Sequence, residues 1–382
     1  MTSNGNSQVI PPTSDETEIS LFGPGFGECV VLHFGNGDWG IVDSCLDPAS
    51  KQPAALHYLE SLGVDVAKSV YFVAATHWHD DHIQGIHSVF QAAKSASFIC
   101  SGAIRQPDFL EILSSWTGTQ FLPGGSGLDE LRAVMSELKG RRADTNLPAP
   151  VLAISNKTLW SRALQPAASL KALSPSDASV LAAMTQLKKI DPFPAKMRRR
   201  IPDIRPNDAS VVLSAQVGEH RVLLGADLEV QTDAALGWTA IVNGVDTSNG
   251  NHQGFKVPHH GSSTAHHDDV WNRLLVKDAW AVTTPFVNGR VKLPSVEDCR
   301  RILGHTPNAY LTAPPRPAKF RDSNRTVEKT VNEVARLAHF IPGKYGHVRM
   351  RKKIDIVPNS SWEVELFGNA MTMKNYVREM NS

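Results

Sequence analysis

The run Thr76-His77-Trp78-His79-Asp80-Asp81-His82 follows directly on the apolar stretch Val70-Tyr71-Phe72-Val73-Ala74-Ala75. A short continuous apolar run that ends in polar residues reads as a buried parallel strand whose carboxyl end delivers side chains to a crevice, where open α/β sheets place their ligands. With strand geometry continued, His77 and His79 stand two apart and point to one side. Asp81 and His82 then fall at the turn into the next helix, where they can converge on a second point. Imidazole and carboxylate together suit zinc, with manganese or iron as alternatives. This spacing is far more specific than an isolated His-x-His pair.

The motif His77-x-His79-x-Asp81-His82 resembles the signature of the metallo-β-lactamase-fold hydrolases. The resemblance implies an α/β fold, an αββα sandwich with one or two metal ions at the edge of its two sheets. Upstream, Gly23-Pro24-Gly25-Phe26-Gly27-Glu28-Cys29-Val30-Val31-Leu32 and Gly40-Ile41-Val42-Asp43-Ser44 resemble the opening hairpin of that fold, with Asp43 at its first acid. Downstream, Arg221 to Glu229 resembles the strand that ends in a metal-bridging aspartate, here Asp227, and Phe255-Lys256-Val257-Pro258-His259-His260-Gly261-Ser262-Ser263 resembles the last histidine motif. That last form, with Asn207 to Leu213 before the aspartate strand and Leu293-Pro294-Ser295 after it, is similar to the ComEC-like branch, which includes the hydrolase domain of DNA-uptake proteins.

The resemblance implies that His77 and His79 bind a first ion, that Asp81, His82 and one of His259 and His260 bind a second, and that Asp227 bridges both. Adjacent residues cannot both point the same way from a regular strand. The expected ligand is His260, with His259 at a substrate phosphate or the leaving group, and the reverse assignment stays open. The third histidine that normally completes the first ion is not evident, because His87 falls inside the next helix and His220 in the hairpin turn Gly218-Glu219-His220. Completion then falls to Asn207, Asp208 or water, as an asparagine in this region of the ComEC-like branch suggests. Asp43 is expected to orient a histidine ligand or the Asp81 loop. Glu229 and Asp80 read as surface or helix-cap residues, and His266 and His267 as solvent-facing.

A chain of 382 residues has material for one large core with an insertion. Residues 1–16 are polar and Pro-containing and read as a disordered lead without a secretory signal. The hydrolase core is expected over 17–315, with a helical insertion at about 104–206, and 316–382 as a basic C-terminal extension. Strands are expected near 18–22, 28–34, 39–43, 70–76, 97–101, 209–217, 220–226, 254–258 and 279–284, with a last pair at 347–357 and 361–367. Helices are expected over 51–62, 83–94, 128–139 and 174–189. No apolar run approaches the ~20 residues of a membrane-spanning helix. Cys29, Cys45, Cys100 and Cys299 are scattered without Cys-x-x-Cys spacing, which fits buried thiols and a reducing cytoplasm.

The net charge is only +1, but basic residues are segregated. Lys188, Lys189, Lys196, Arg198, Arg199, Arg200 and Arg205 face only Asp191 and Asp203 in one segment, and a second basic segment runs from Arg316 to Lys353. Clustered guanidinium and ammonium groups are the electrostatic footprint of a polyanion partner. Arg198, Arg199, Arg200 and Arg205 are therefore candidate phosphate-binding residues. The expected activity is hydrolysis by metal-activated hydroxide, with Asp81, Asp227 and His259 as catalytic groups and DNA as the substrate of a phosphodiesterase or nuclease. Small-molecule hydrolysis, of a cyclic nucleotide, phosphoester or lactone, is the alternative. A metal-occupied but inactive sensor subunit is the third reading. The β-CASP nucleases are excluded, since too little chain separates Asp227 from His259 for their insertion. A protein partner is left unidentified.

Overall fold

The computed structural model describes residues 10–23, 27–105, 127–141, 147–187, 205–244, 250–315, 346–354 and 361–381. In the first sheet, β1 (Glu16–Phe22), β2 (Cys29–His33) and β3 (Trp39–Val42) pair antiparallel in sequence order. β3 then pairs in parallel with β4 (Val70–Ala75), β4 with β5 (Ser97–Ser101), and β5 with β6 (Val151–Ala153). β4 is buried except at Tyr71, as the continuous apolar run required.

The second sheet starts from its edge strand β7 (Thr158–Arg162) and continues through β8 (Ala168–Ala172), β9 (Leu213–Val217), β10 (His220–Leu224), β11 (His252–Lys256) and β12 (Leu275–Thr283). A small hairpin, β13 (Phe286–Asn288) and β14 (Val291–Leu293), stands apart from it. β15 (Ala309–Leu311) pairs in parallel with β12, while β16 (Gly346–Lys353) and β17 (Glu363–Gly368) return to the first sheet beside β1. β18 (Met371–Thr372) closes the far edge of the second sheet against β15.

Three apolar layers hold these sheets. Between them, Leu21, Leu32, Phe72 and Ile99 meet Leu170, Leu213, Leu224 and Trp280. Outside the first sheet lie α1 (Ala54–Ser61), α2 (Val66–Ser69), α3 (Asp80–Ile83), α4 (Ile86–Ala92) and α5 (Gly127–Arg141), with Leu59, Phe90 and Leu131 among the buried contacts. α6 (Asp177–Leu187) packs its Ala183 on Ala103 and Ala209. Outside the second sheet, α7 (Gly237–Gly244), α8 (Val296–His305) and α9 (Met373–Asn381) contribute Trp238, Ile302 and Met373. Two packed sheets covered by helices on both outer faces make an αββα sandwich, the architecture expected from the sequence.

Four sequence expectations need correction. The segment 104–206 is more than a helical insertion, because besides α5 and α6 it supplies β6, β7 and β8 to the two sheets. β6 and β7 lie at sheet edges and carry a weak apolar pattern, while β8 alternates over only five residues, too short a run to stand out in the sequence. The segment 316–382 is no appendage where it is described, since β16 lies between β1 and β17 and α9 packs against α8. Residues 10–15, expected within a disordered lead, are tied to β16: Arg351 Nη2 donates to the Ile10 carbonyl at 2.6 Å and Lys353 Nζ to Asp15 Oδ1 at 2.9 Å. The helix expected over 83–94 runs over Ile86–Ala92 only, because Ile83 ends the short α3 and the chain breaks at Gly85, whose φ of 79° only glycine adopts readily. Glu130 of α5 then accepts the Gly85 and His87 backbone N–H groups at 3.0 and 3.1 Å, which ties α5 to the start of α4.

Candidate metal centre

β4 ends at Ala75, but the chain stays extended through His79, whose φ and ψ are −70° and 145°, before α3 begins. His77 Nε2 and His79 Nδ1 consequently face each other at 3.1 Å. Thr76 fixes this arrangement. Its backbone N–H and hydroxyl donate to the two carboxylate oxygens of Asp43 at 2.8 and 2.7 Å, and its hydroxyl oxygen lies 3.0 Å from His77 Nδ1. A hydroxyl that donates to Asp43 must accept from His77, so Nδ1 of His77 carries its proton and Nε2 presents a lone pair. Burial, reinforced by His82 and His79, holds His77 well below the ordinary imidazole range, and burial likewise lowers His79. Both rings are neutral near pH 7.

Asp81, His82, Asp227 and His260 form a second, buried cluster, each offering an atom within 4.8 Å of the others. His260 Nε2 lies 3.0 Å from Asp81 Oδ2 and 3.5 Å from Asp227 Oδ2, and His82 Nε2 lies 3.7 and 3.3 Å from the same two carboxylates. Donors placed 2.0–2.1 Å from a tetrahedral ion sit about 3.3 Å apart, so these separations fit a zinc-class ion. His82 Nε2 and Asp227 Oδ1 are buried without a hydrogen-bond partner, a costly state that a cation between them would relieve. Although burial disfavours charge, the carboxylates of Asp227, Asp81 and Asp43 hold His82 well above its ordinary value. Against the same opposition from burial, His82 and His260 keep the Asp227 carboxyl well below the usual range.

Two turns place Asp227 and the paired histidines. After β10 the chain turns through Gly225 and Ala226 to Asp227, and a Cβ at Gly225 would meet the Lys256 carbonyl at 2.9 Å and Pro258 at 3.0 Å. His259 and His260 both take left-handed backbone conformations, φ 48° and 52°, which are uncommon for residues with a side chain. That kink sends the two rings apart. His260 is buried in the cluster, whereas His259 is partly exposed, with Nδ1 3.1 Å from the Thr264 hydroxyl and 3.5 Å from Glu229 Oε1.

Four participating residues carried no role in the sequence reading: Glu28, Thr284, Lys256 and Thr76. The Thr284 hydroxyl donates to Glu28 Oε2 at 2.6 Å and lies 3.1 Å from His260 Nδ1. Glu28–Thr284–His260 therefore repeats the carboxylate–threonine–histidine arrangement of Asp43–Thr76–His77. Lys256 Nζ sits 2.6 Å from Glu28 Oε1 and 3.7 Å from Asp227 Oδ1 and donates to the Ala226 carbonyl at 2.8 Å. A lone lysine inside the apolar stretch from Phe255 to Pro258 was the available signal, since a buried ammonium has to be paired.

Asn207 is buried and donates to Glu229 Oε1 at 3.0 Å, leaving its Oδ1 without a partner. Glu229, expected at the surface, instead links Asn207 to His259. Asp80 does act as a cap, accepting the backbone N–H of Gly127. No third histidine or acid joins His77 and His79 into a cluster among the described residues, and the contacts of Asp227 run to His82, His260 and Lys256. His220 lies elsewhere, its Nε2 3.0 Å from the Lys353 carbonyl. Asp208 is half-buried beside the exposed Arg205, while Arg198, Arg199 and Arg200 fall outside the described residues. His266 and His267 are half-buried. All four cysteines are free and buried. Among the described residues no helix is long and apolar enough to cross a membrane.

No protein-family model and no curated protein matches the sequence. Among solved structures, a metallo-β-lactamase from Cronobacter sakazakii carrying a HARLDQ-motif mutant is similar at 16% identity over 56% of this chain, with a TM-score of 0.31. The match spans 63% of that enzyme, under two thirds of its length. The metallo-β-lactamase SMB-1 bound to 2-mercaptoethanesulfonate is similar at 11% identity over 69% of this chain and 87% of its own, with a TM-score of 0.34. The metallo-β-lactamase fold protein YhfI from Bacillus subtilis is similar at 11% identity over 63% and 70%, with a TM-score of 0.30.

Proposed function

We propose that this protein is a metal-dependent hydrolase of the ComEC-like branch, a cytoplasmic phosphodiesterase whose preferred substrate is DNA. The observation that carries the hydrolase reading is the buried Asp81–His82–Asp227–His260 cluster with two unpartnered donor atoms beside the facing nitrogens of His77 and His79. A bound zinc or manganese ion supplies Lewis acidity and an activated water at such a site.

The protein's own groups divide the remaining work. Asp43 and Glu28, through direct contact or through Thr76 and Thr284, engage Nδ1 of His82, His77 and His260 and so turn Nε2 of each ring toward the centre. Asp81 and Asp227, kept ionised beside His82 and His260, would hold the ion and keep the attacking water in line. His259 is the general acid, because Thr264 and Glu229 occupy its Nδ1 side and Nε2 is left to meet the leaving oxygen. Arg205, with Arg198, Arg199 and Arg200, gathers the phosphates of the substrate.

One observation favours small-molecule hydrolysis as the second reading. Arg349, Arg351 and Lys353 of the basic C-terminal segment are committed to Glu365, Glu18 and Asp15 within the fold, which removes them from a nucleic-acid groove. The test is cleavage of labelled single- and double-stranded DNA by purified protein with zinc or manganese, beside a His79→Ala, Asp81→Ala double variant and panels of cyclic nucleotides, phosphoesters and lactones. DNA cleavage by the parent alone supports the nuclease. Cleavage confined to one of the panels moves the substrate class. A protein that holds its ions and cleaves nothing in either arm supports the sensor reading.

A further inference from the structure

We propose that His266, Asp268 and His305 form a second, peripheral site for a zinc-class divalent cation, clamping the loop after His260 to the carboxyl end of α8. The three residues come from two elements that are distant in sequence, and each offers a donor atom within 4.8 Å of the other two. None of them belongs to the central cluster. His266 Nε2 lies 3.0 Å from Asp268 Oδ1, and His305 Nε2 lies 3.9 Å from the same oxygen. These separations bracket the roughly 3.3 Å between donors of a tetrahedral ion. Asp268 is largely exposed, its side chain 76% accessible, so its carboxylate can rotate to close the longer distance.

The two imidazoles are held in advance. The His305 ring stacks on Trp271, with centroids 4.7 Å apart and planes within 9°, and the His266 and His305 rings approach to 5.2 Å. The Arg301 guanidinium is turned to Asp298 at 2.5 Å and the Gly261 carbonyl at 2.6 Å rather than to Asp268. Two imidazoles and one carboxylate with a face open to solvent make a three-ligand set that water completes. This donor set selects zinc, cobalt, nickel or copper over magnesium and calcium, which prefer all-oxygen shells. The Arg301–Gly261 contact joins α8 to the turn that carries His260, so a cation here would brace that turn from behind.

The experiment is equilibrium dialysis of the full-length, metal-stripped protein against buffered zinc, with zinc per chain measured for the parent, for Asp268→Asn and for His266→Ala, His305→Ala. The same two changes are repeated in the His79→Ala, Asp81→Ala background, which separates the peripheral site from the central one. The expected result is a zinc equivalent, undisplaced by millimolar magnesium or calcium, whose affinity falls about 10-fold or more in both peripheral variants and in either background. Asp268→Asn alters an exposed side chain, so it remains informative even if the double histidine variant fails to fold. Zinc binding with unchanged stoichiometry and affinity in Asp268→Asn and in the folded double variant would overturn the proposal. So would a zinc equivalent that magnesium displaces.

Discussion

Oδ2 of Asp43 lies 2.7 Å from Nδ1 of His82, and both side chains are buried. The contact leaves Nε2 as the only ring nitrogen of His82 available to the cluster, and the same carboxylate reaches His77 through Thr76. One acid at the end of β3 thus sets the orientation of a histidine on each side of the centre. Replacing Asp43 with Ala is expected to weaken zinc binding about 10- to 100-fold while the far-ultraviolet circular dichroism stays that of the parent. Competition titration against a chromophoric chelator measures it. Unchanged affinity in a folded variant would remove Asp43 from the site.

The Glu28–Lys256 pair is buried on both sides, at 2.6 Å. Removing one partner of such a pair strands the other charge in the interior. Lys256→Met is expected to cost about 3–5 kcal/mol in urea denaturation of the metal-free protein. Adding Glu28→Gln should recover part of that loss, because the stranded carboxylate is then neutral. A strictly additive double-mutant cycle would show that the two residues are not coupled.

His259 and His260 are expected to separate in their effects. His260→Gln should lower bound metal per chain, since this residue supplies a donor to the buried cluster. His259→Gln should leave metal content near that of the parent while reducing turnover about 10²- to 10⁴-fold, the usual contribution of a positioned general acid. Metal analysis beside steady-state kinetics reads both. Loss of metal from the His259 variant alone would reverse the assignment.

His252 lies in the second sheet away from the metal centre, and its neutral form is fully satisfied, with Nδ1 2.9 Å from the Leu274 carbonyl and Nε2 2.8 Å from the Ser214 hydroxyl. Burial lowers its pKa to about 4. The unfolded chain takes up this proton near pH 6.5 and the folded chain only near pH 4. Its contribution to stability is therefore complete above pH 6.5 and is lost as pH falls toward 4. The loss is on the order of 2–3 kcal/mol for this residue. Urea midpoints between pH 7 and pH 4 should fall less steeply in His252→Gln than in the parent. Equal slopes would contradict the buried neutral assignment.

Much of the centre was legible in the sequence because its residues are contiguous. Between His77 and His82 the positions of the donors follow from a strand that ends and a helix that begins, both of which are local properties. The same holds for the turn after β10 and for the paired histidines, whose place at strand ends came from apolar runs next to polar residues. Local sequence could not show that Glu28 and Thr284 meet at His260, or that Glu229 turns back to Asn207, because those contacts cross from one sheet or loop to another. Nor did it show that β6, β7 and β8 belong to the sandwich, since β6 and β7 are edge strands with little periodic signal and β8 alternates over only five residues. The basic segment at 346–353 misled for a related reason: composition counts charges, but only the packed sheet decides which ones already have partners. The sequence by itself determined the donor types and the strand that presents them. The tertiary structure decided which carboxylates support them, because second-sphere contacts depend on the packing of two sheets.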